Sequence, residues 1–213
     1  NPLQKLSTKR GNDGLLDIQV AVSRDGINWS RPDRRPFIGL GLPGSGRAST
    51  IYMVAGMIRR GDELWLYYKS SDTTHGGRDR SQGFGPEPAG TKAENYRKVH
   101  FRRAVVPLHR FIAASSAWEG GWLMTPPLVF AGSRLELNLD TSAMGVARVE
   151  ILDVAGRNLE GFALEDCGPI NGNFLHHTVS WNGKTDLSAL TGKPVRLRFV
   201  SRSTDLYAFQ FAP

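Results

Sequence analysis

The sequence predicts an all-β protein in two parts, strand repeats over 1–110 and a β-sandwich over 111–213. Three observations carry this. Short segments alternate apolar and polar residues, the period of a sheet with one buried face. The chain holds 24 glycines and 12 prolines among 213 residues, a turn-rich composition. Charge changes sign near Phe111. Residues 1–110 carry 19 Lys+Arg against 10 Asp+Glu, a net of +9, whereas 111–213 carry 8 against 10, a net of −2. That break marks the domain boundary.

The first strand is expected over 17–23 (DIQVAVS), with Ile18, Val20 and Val22 on one face. Asp25-Gly26 then signals a hairpin turn, because Gly supplies positive φ and Asp accepts turn amides. Trp29 is expected to pack beneath that turn and to restart the chain as a strand. Residues 52–58 (YMVAGMI), 63–69 (ELWLYYK) and 99–108 make three further strands, the first two joined at Arg60-Gly61-Asp62. A long polar loop fills the interval 70–97. Loops beyond about 15 residues in compact domains are usually functional or disordered.

In the second part, strands are expected over 134–139 (RLELNL), 146–152 (VARVEIL), 174–181 (FLHHTVSW), 195–200 (VRLRFV) and 206–211 (LYAFQF). Trp181 falls in register with Leu175 and Val179 and belongs to the core. The one credible helical turn is 186–190, with Asp186 as cap and Gly192 as stop.

Several function classes lose support at this stage. No apolar run approaches the roughly 18 residues that span a bilayer, so no membrane partner is expected. The single Cys167 excludes an internal disulfide. It lacks the context of a nucleophile and reads as a small partly buried side chain. His176 and His177 are adjacent in a strand and point to opposite faces, so they do not share a metal ion. No metal site or cofactor is expected; a structural calcium ion stays open but cannot be placed. Gly39-x-Gly41-x-x-Gly44 precedes no helix, so it fails as a phosphate cradle. The basic first part suits an anionic partner, but it carries none of the nucleic-acid-binding motifs.

Ser23-x-Asp25-Gly26-x-x-Trp29 resembles the Asp-box hairpin of β-propeller proteins, one residue shorter than the sialidase form. More widely, 15–80 resembles two consecutive blades of the five-bladed propeller of invertase-like and arabinanase-like glycoside hydrolases. Asp17 to Trp29, Pro36-Phe37-Ile38-Gly39-Leu40, Gly44-Ser45-Gly46, Ile51-Tyr52, and Asp62-Glu63-Leu64-Trp65-Leu66-Tyr67-Tyr68 followed by Asp72-Thr73-Thr74-His75-Gly76 carry that likeness. Residues 110–213 resemble the jelly-roll-like sandwich that follows such blades in bacterial exported proteins, through Glu119-Gly120-Gly121, Thr125-x-Pro127-Leu128 and Asp186-Leu187-Ser188-Ala189-Leu190. The resemblance thus implies the C-terminal part of a bacterial glycoside-hydrolase-like protein, exported to the periplasm or the exterior. Two departures stand out. Five blades need about 300 residues, so the blades here are incomplete, or the short half completes itself by oligomerising. Members of the group also carry an Asp after the Gly-Ser, where this chain reads Gly44-Ser45-Gly46-Arg47. The chain starts Asn1-Pro2 with no signal-peptide pattern, as a fragment or a processed chain would.

The resemblance implies a carbohydrate-active protein, a glycoside hydrolase or a fragment of one, acting on a poly- or oligosaccharide. Such enzymes use two carboxylates roughly 5–9.5 Å apart. Asp72 and His75, at the start of the long loop, are the candidate catalytic residues. Arg47, Tyr52 and Tyr68 are candidates for contacting sugar hydroxyls or charge, and Trp118 and Trp122 for stacking on sugar rings. Two alternatives remain open: a non-catalytic glycan-binding module using Trp118 and Trp122, and an anion or nucleic-acid binder acting through the basic half.

Overall fold

A computed structural model describes residues 14–76 and 99–213. The chain is all-β among the described residues, with several antiparallel sheets and a single 3-10 turn at Ser188–Leu190. It divides into two compact units, Asn1–Val106 and Pro107–Pro213.

In the first unit, β3 (Glu63–Ser71) is the central strand. It pairs antiparallel with β1 (Thr50–Met53) and with β2 (Ile58–Arg60), and it also pairs with β4 (His100–Pro107), whose last residue lies just past the division. The sequence predicts one strand over 52–58. The structure instead breaks that stretch into β1 and β2, with register moving from Met53↔Tyr68 to Ile58↔Trp65. Gly56, at φ 87°, lies in the break, a conformation a strand does not hold. The expected strand 17–23 is reduced to isolated bridges, Ile18 to Ile38 and Val22 to Ser30. The apolar cluster here is small: Ile38, Ile51 and Tyr68 are buried, with Ile18, Phe37, Leu40, Met53 and Ala104 packed around them.

The Asp25 turn forms as its residues demand. Oδ1 of Asp25 accepts the amides of Ile27 (2.9 Å) and Asn28 (2.7 Å), and Gly26 adopts φ 74°. These bonds hold the carboxyl well below the usual carboxylate range. The indole of Trp29 folds back to donate to the Gly26 carbonyl (3.1 Å), yet it is 65% exposed. The expectation that Trp29 packs beneath the turn is therefore corrected: it lies over the turn in solvent.

The second unit has two antiparallel sheets. One has the order β5-β11-β7-β9, from Ala114–Ser116, Thr204–Ala212, Arg134–Asp140 and Asn173–Thr178. The other has the order β6-β10-β8, from Gly121–Met124, Arg196–Arg202 and Val146–Leu152. Alternation supplies the core directly. Leu135, Leu137 and Leu139 of β7, Val149 and Ile151 of β8, and Leu197 and Phe199 of β10 share one buried cluster. Trp181 lies at its centre, fully buried, its indole N–H satisfied by the Val149 carbonyl at 2.8 Å. Cys167 is buried there too, and burial pushes its thiol pKa up. Full burial of each such large side chain stabilises by about 1.5–3 kcal/mol.

Candidate functional site

Strand β3 distributes the candidates between its two faces. Tyr68 and Ser70 alternate with Tyr67 and Lys69, and the pairings Ile51↔Ser70 and Tyr52↔Lys69 extend each face onto β1. The end of β3 and loop 44–49 meet through Asp72. Its Oδ1 accepts the Ala48 amide (2.7 Å) and its Oδ2 the Gly46 amide (3.0 Å), while the Ser49 hydroxyl donates to its carbonyl (2.8 Å). Asp72 is only 9% exposed. Both oxygens of the candidate acid thus hold backbone.

The same loop is fastened again by side chains. Ser70 Oγ donates to the Gly46 carbonyl (2.8 Å). Arg102 donates through Nε to Ser70 Oγ (3.1 Å) and through Nη2 to the Ser45 carbonyl (2.6 Å). Gly46 sits at φ 72°, and a Cβ there would lie 2.3 Å from the His100 ring. A larger residue there would push the His100 ring aside and strain the backbone. Arg47 reaches Tyr68 with a long Nη1 contact of 3.4 Å to the phenol oxygen.

His75 takes another partner. Its Nδ1 lies 2.7 Å from the Tyr52 hydroxyl, a hydrogen bond whose donor follows the histidine tautomer. The Lys69 ammonium stands 4.9 Å from the centre of the Tyr52 ring. Burial raises the Tyr52 pKa above the usual phenol value. The structure therefore sorts the first-unit candidates into two groups, Asp72 with loop 44–49 and His75 with Tyr52 and Lys69. The other acids of the long loop, Asp79, Glu87 and Glu94, lie outside the described residues.

Trp118 and Trp122 belong to the second unit. Trp118 follows Ala117 in turn 117–120, closed by the Gly120 amide on the Ala117 carbonyl (3.1 Å). It is 54% exposed, with the Arg202 guanidinium carbon 4.9 Å from its ring centre. Trp122 is 69% exposed on β6, opposite Val200 of β10.

Among the described residues no group of three or more His, Cys, Asp or Glu could hold a metal ion. His176 Nδ1 stands 3.7 Å from Glu136, while His177 packs beside Phe174 at a ring separation of 4.8 Å. Among those residues no helix is long and apolar enough to cross a membrane.

Sequence reasoning misses five residues in three arrangements. Arg102 and Ser70 lock loop 44–49, and the sequence shows Arg102 only as one of the 19 Lys+Arg of residues 1–110. Glu150 and Arg198 form an ion pair across β8 and β10, with Glu150 buried. Alternation in β8 sets Glu150 on the face opposite Val149 and Ile151, so the pattern gives no sign that it is buried. Arg110, the last residue of the expected first domain, is bound into the second unit. Compared with family models, curated proteins and solved structures, the chain matches none.

Proposed function

We propose that the protein is a carbohydrate-active, exported protein whose described residues bind glycan, with propeller-like strands in the first unit and a jelly-roll-like sandwich in the second. The observation that carries this reading is the exposure of two indoles, Trp122 at 69% and Trp118 at 54%, four positions apart on the segment that turns from β5 into β6. Two large aromatic faces left in water within five residues of one segment support an interaction surface. A flat ring with a polar edge offers an apolar face to the C–H side of a sugar ring and wet surroundings to its hydroxyls. Trp118 is braced by Arg202, and Trp122 is borne on a strand, so neither needs much ordering on binding.

Binding fits better than hydrolysis. A glycosidase acid must protonate a leaving oxygen, whereas the Asp72 oxygens are already committed to the amides of Gly46 and Ala48. The test is retention on a panel of insoluble polysaccharides together with turnover assays. Retention without turnover is expected, weakened at least tenfold by Trp122→Ala with the fold intact. Unchanged retention of that variant, or glycoside cleavage abolished by a folded Asp72→Asn protein, sinks the reading.

A further inference from the structure

On the second unit, the hollow beside β9 has a built wall that the glycan reading does not use. It has a volume of about 480 Å³ and is lined by Pro107, Arg110, Asn173, Phe174, Leu175 and His176. Turn 107–110 carries Arg110 to it, closed by the Arg110 amide on the Pro107 carbonyl (3.1 Å). Asn138, buried on β7, clamps the turn from below. Its Nδ2 donates to the Leu108 carbonyl (2.7 Å), and its Oδ1 accepts from Arg110 Nε (2.8 Å). Arg110 Nη2 donates to the carbonyls of Phe174 (2.9 Å) and Leu139 (3.3 Å), and its guanidinium carbon lies 4.8 Å from the Tyr207 ring centre.

All of these partners are neutral. Among the described residues, Arg110 has no carboxylate at ion-pair distance, and its Nη1 donates to no group. The nearby acids take other donors. Asp140 accepts from Asn173 Nδ2 (2.7 Å) and the Ser142 amide (2.8 Å), Asp205 from Ser115 Oγ (2.5 Å), and Glu136 from Arg134 and Gln210. The lining itself contains no carboxylate. A guanidinium fixed in place by three hydrogen bonds and a ring loses little freedom on binding, and its charge is strongest toward an oxyanion.

We propose that this hollow is a binding site for the acidic substituent of a glycan, a carboxylate or a sulfate ester, received by Arg110 with the sugar against Phe174, Leu175 and Asn173. The site rests on the glycan reading only for the carrier of the charge; Trp122, on β6, lies in the other sheet from β9.

The experiment is calorimetric titration of the whole chain at fixed ionic strength. The probes are a galacturonate trimer, its methyl ester, and a sulfated neutral trimer of equal length. One of the two anionic trimers is expected to bind at least tenfold more tightly than the ester, and which one identifies the oxyanion. Arg110→Gln removes that preference. Because Arg110 also ties β7 to β9, Leu175→Trp is the second variant: it fills the hollow, leaves every Arg110 contact in place, and is expected to weaken anionic binding at least tenfold. Trp122→Ala leaves the anionic preference unchanged. Equal binding of ester and both anionic trimers, or undiminished anionic binding by a folded Leu175→Trp protein, overturns the site. Loss of neutral-polysaccharide retention alone bears on the Trp122 reading and leaves this preference standing.

Discussion

The two units hold together by different means. Among the described residues, the second gathers fifteen buried residues from both of its sheets into one apolar cluster, while the cluster of the first has three, Ile38, Ile51 and Tyr68. The first unit leaves Met57, Ile58, Phe101 and Val105 exposed. Trp65 is covered by cations instead: Arg60 and Arg103 stand 4.9 and 3.9 Å from its ring centre. Its loops are tied down by Asp72, Ser70 and Arg102 rather than by apolar packing. Hydrogen bonds contribute about 0.5–1.5 kcal/mol net each, so such a unit gains definition more than depth of stability. The comparison teaches that a strand-rich chain can carry one region specified by burial beside another specified by directional polar contacts.

The sharpest way to break the comparison is Trp181→Ala. Emptying the centre of the second unit should cost about 3–5 kcal/mol, and it should also orphan the Val149 carbonyl. Urea unfolding followed by hydrogen exchange is expected to place the loss in strands β7 to β11, with the Gly46 and Ala48 amides unchanged. An equal loss in both units would mean that they do not unfold independently.

Asp72→Ala probes the other mode. Two buried amides lose their acceptor, a cost of roughly 1–3 kcal/mol each if left unsatisfied. Exchange at Gly46 and Ala48 should quicken while the second unit keeps its protection. If those amides stay protected, the clamp is not what holds loop 44–49.

The smallest effect is a pH slope in the second unit. Burial lowers the pKa of His177 in the folded state below its usual 6.5. The unfolded chain therefore takes up the proton first as pH falls. Stability is full above that value and declines as pH drops through it toward the folded pKa. His177→Gln should flatten the urea midpoint between pH 7 and pH 5. A slope that persists in the variant would assign the effect to another group.

What the sequence made legible follows from distance along the chain. Strands β7, β8, β10 and β11 are read from alternation because their residues meet one core. The Asp25 turn is read because its bonds span two or three residues. The break between β1 and β2 was hidden, since 52–58 looks like an unbroken apolar strand. Asp72 is legible as an acid, but the amides it accepts lie 24 and 26 residues away. Arg110 binds groups 28 to 64 residues ahead, and no local pattern announces that. Its assignment to the basic half came from charge counting, which ignores the partners a charge finds after folding.

Cys167 gives the second unit a built-in clock. It is the only cysteine of the chain, fully shielded, with the Val149 amide directed at its sulfur at 3.3 Å. Thiolate is the reactive form, and burial suppresses it. Any alkylation of this protein therefore timestamps an opening of the β8 neighbourhood, with no engineered label and no competing thiol from the first unit.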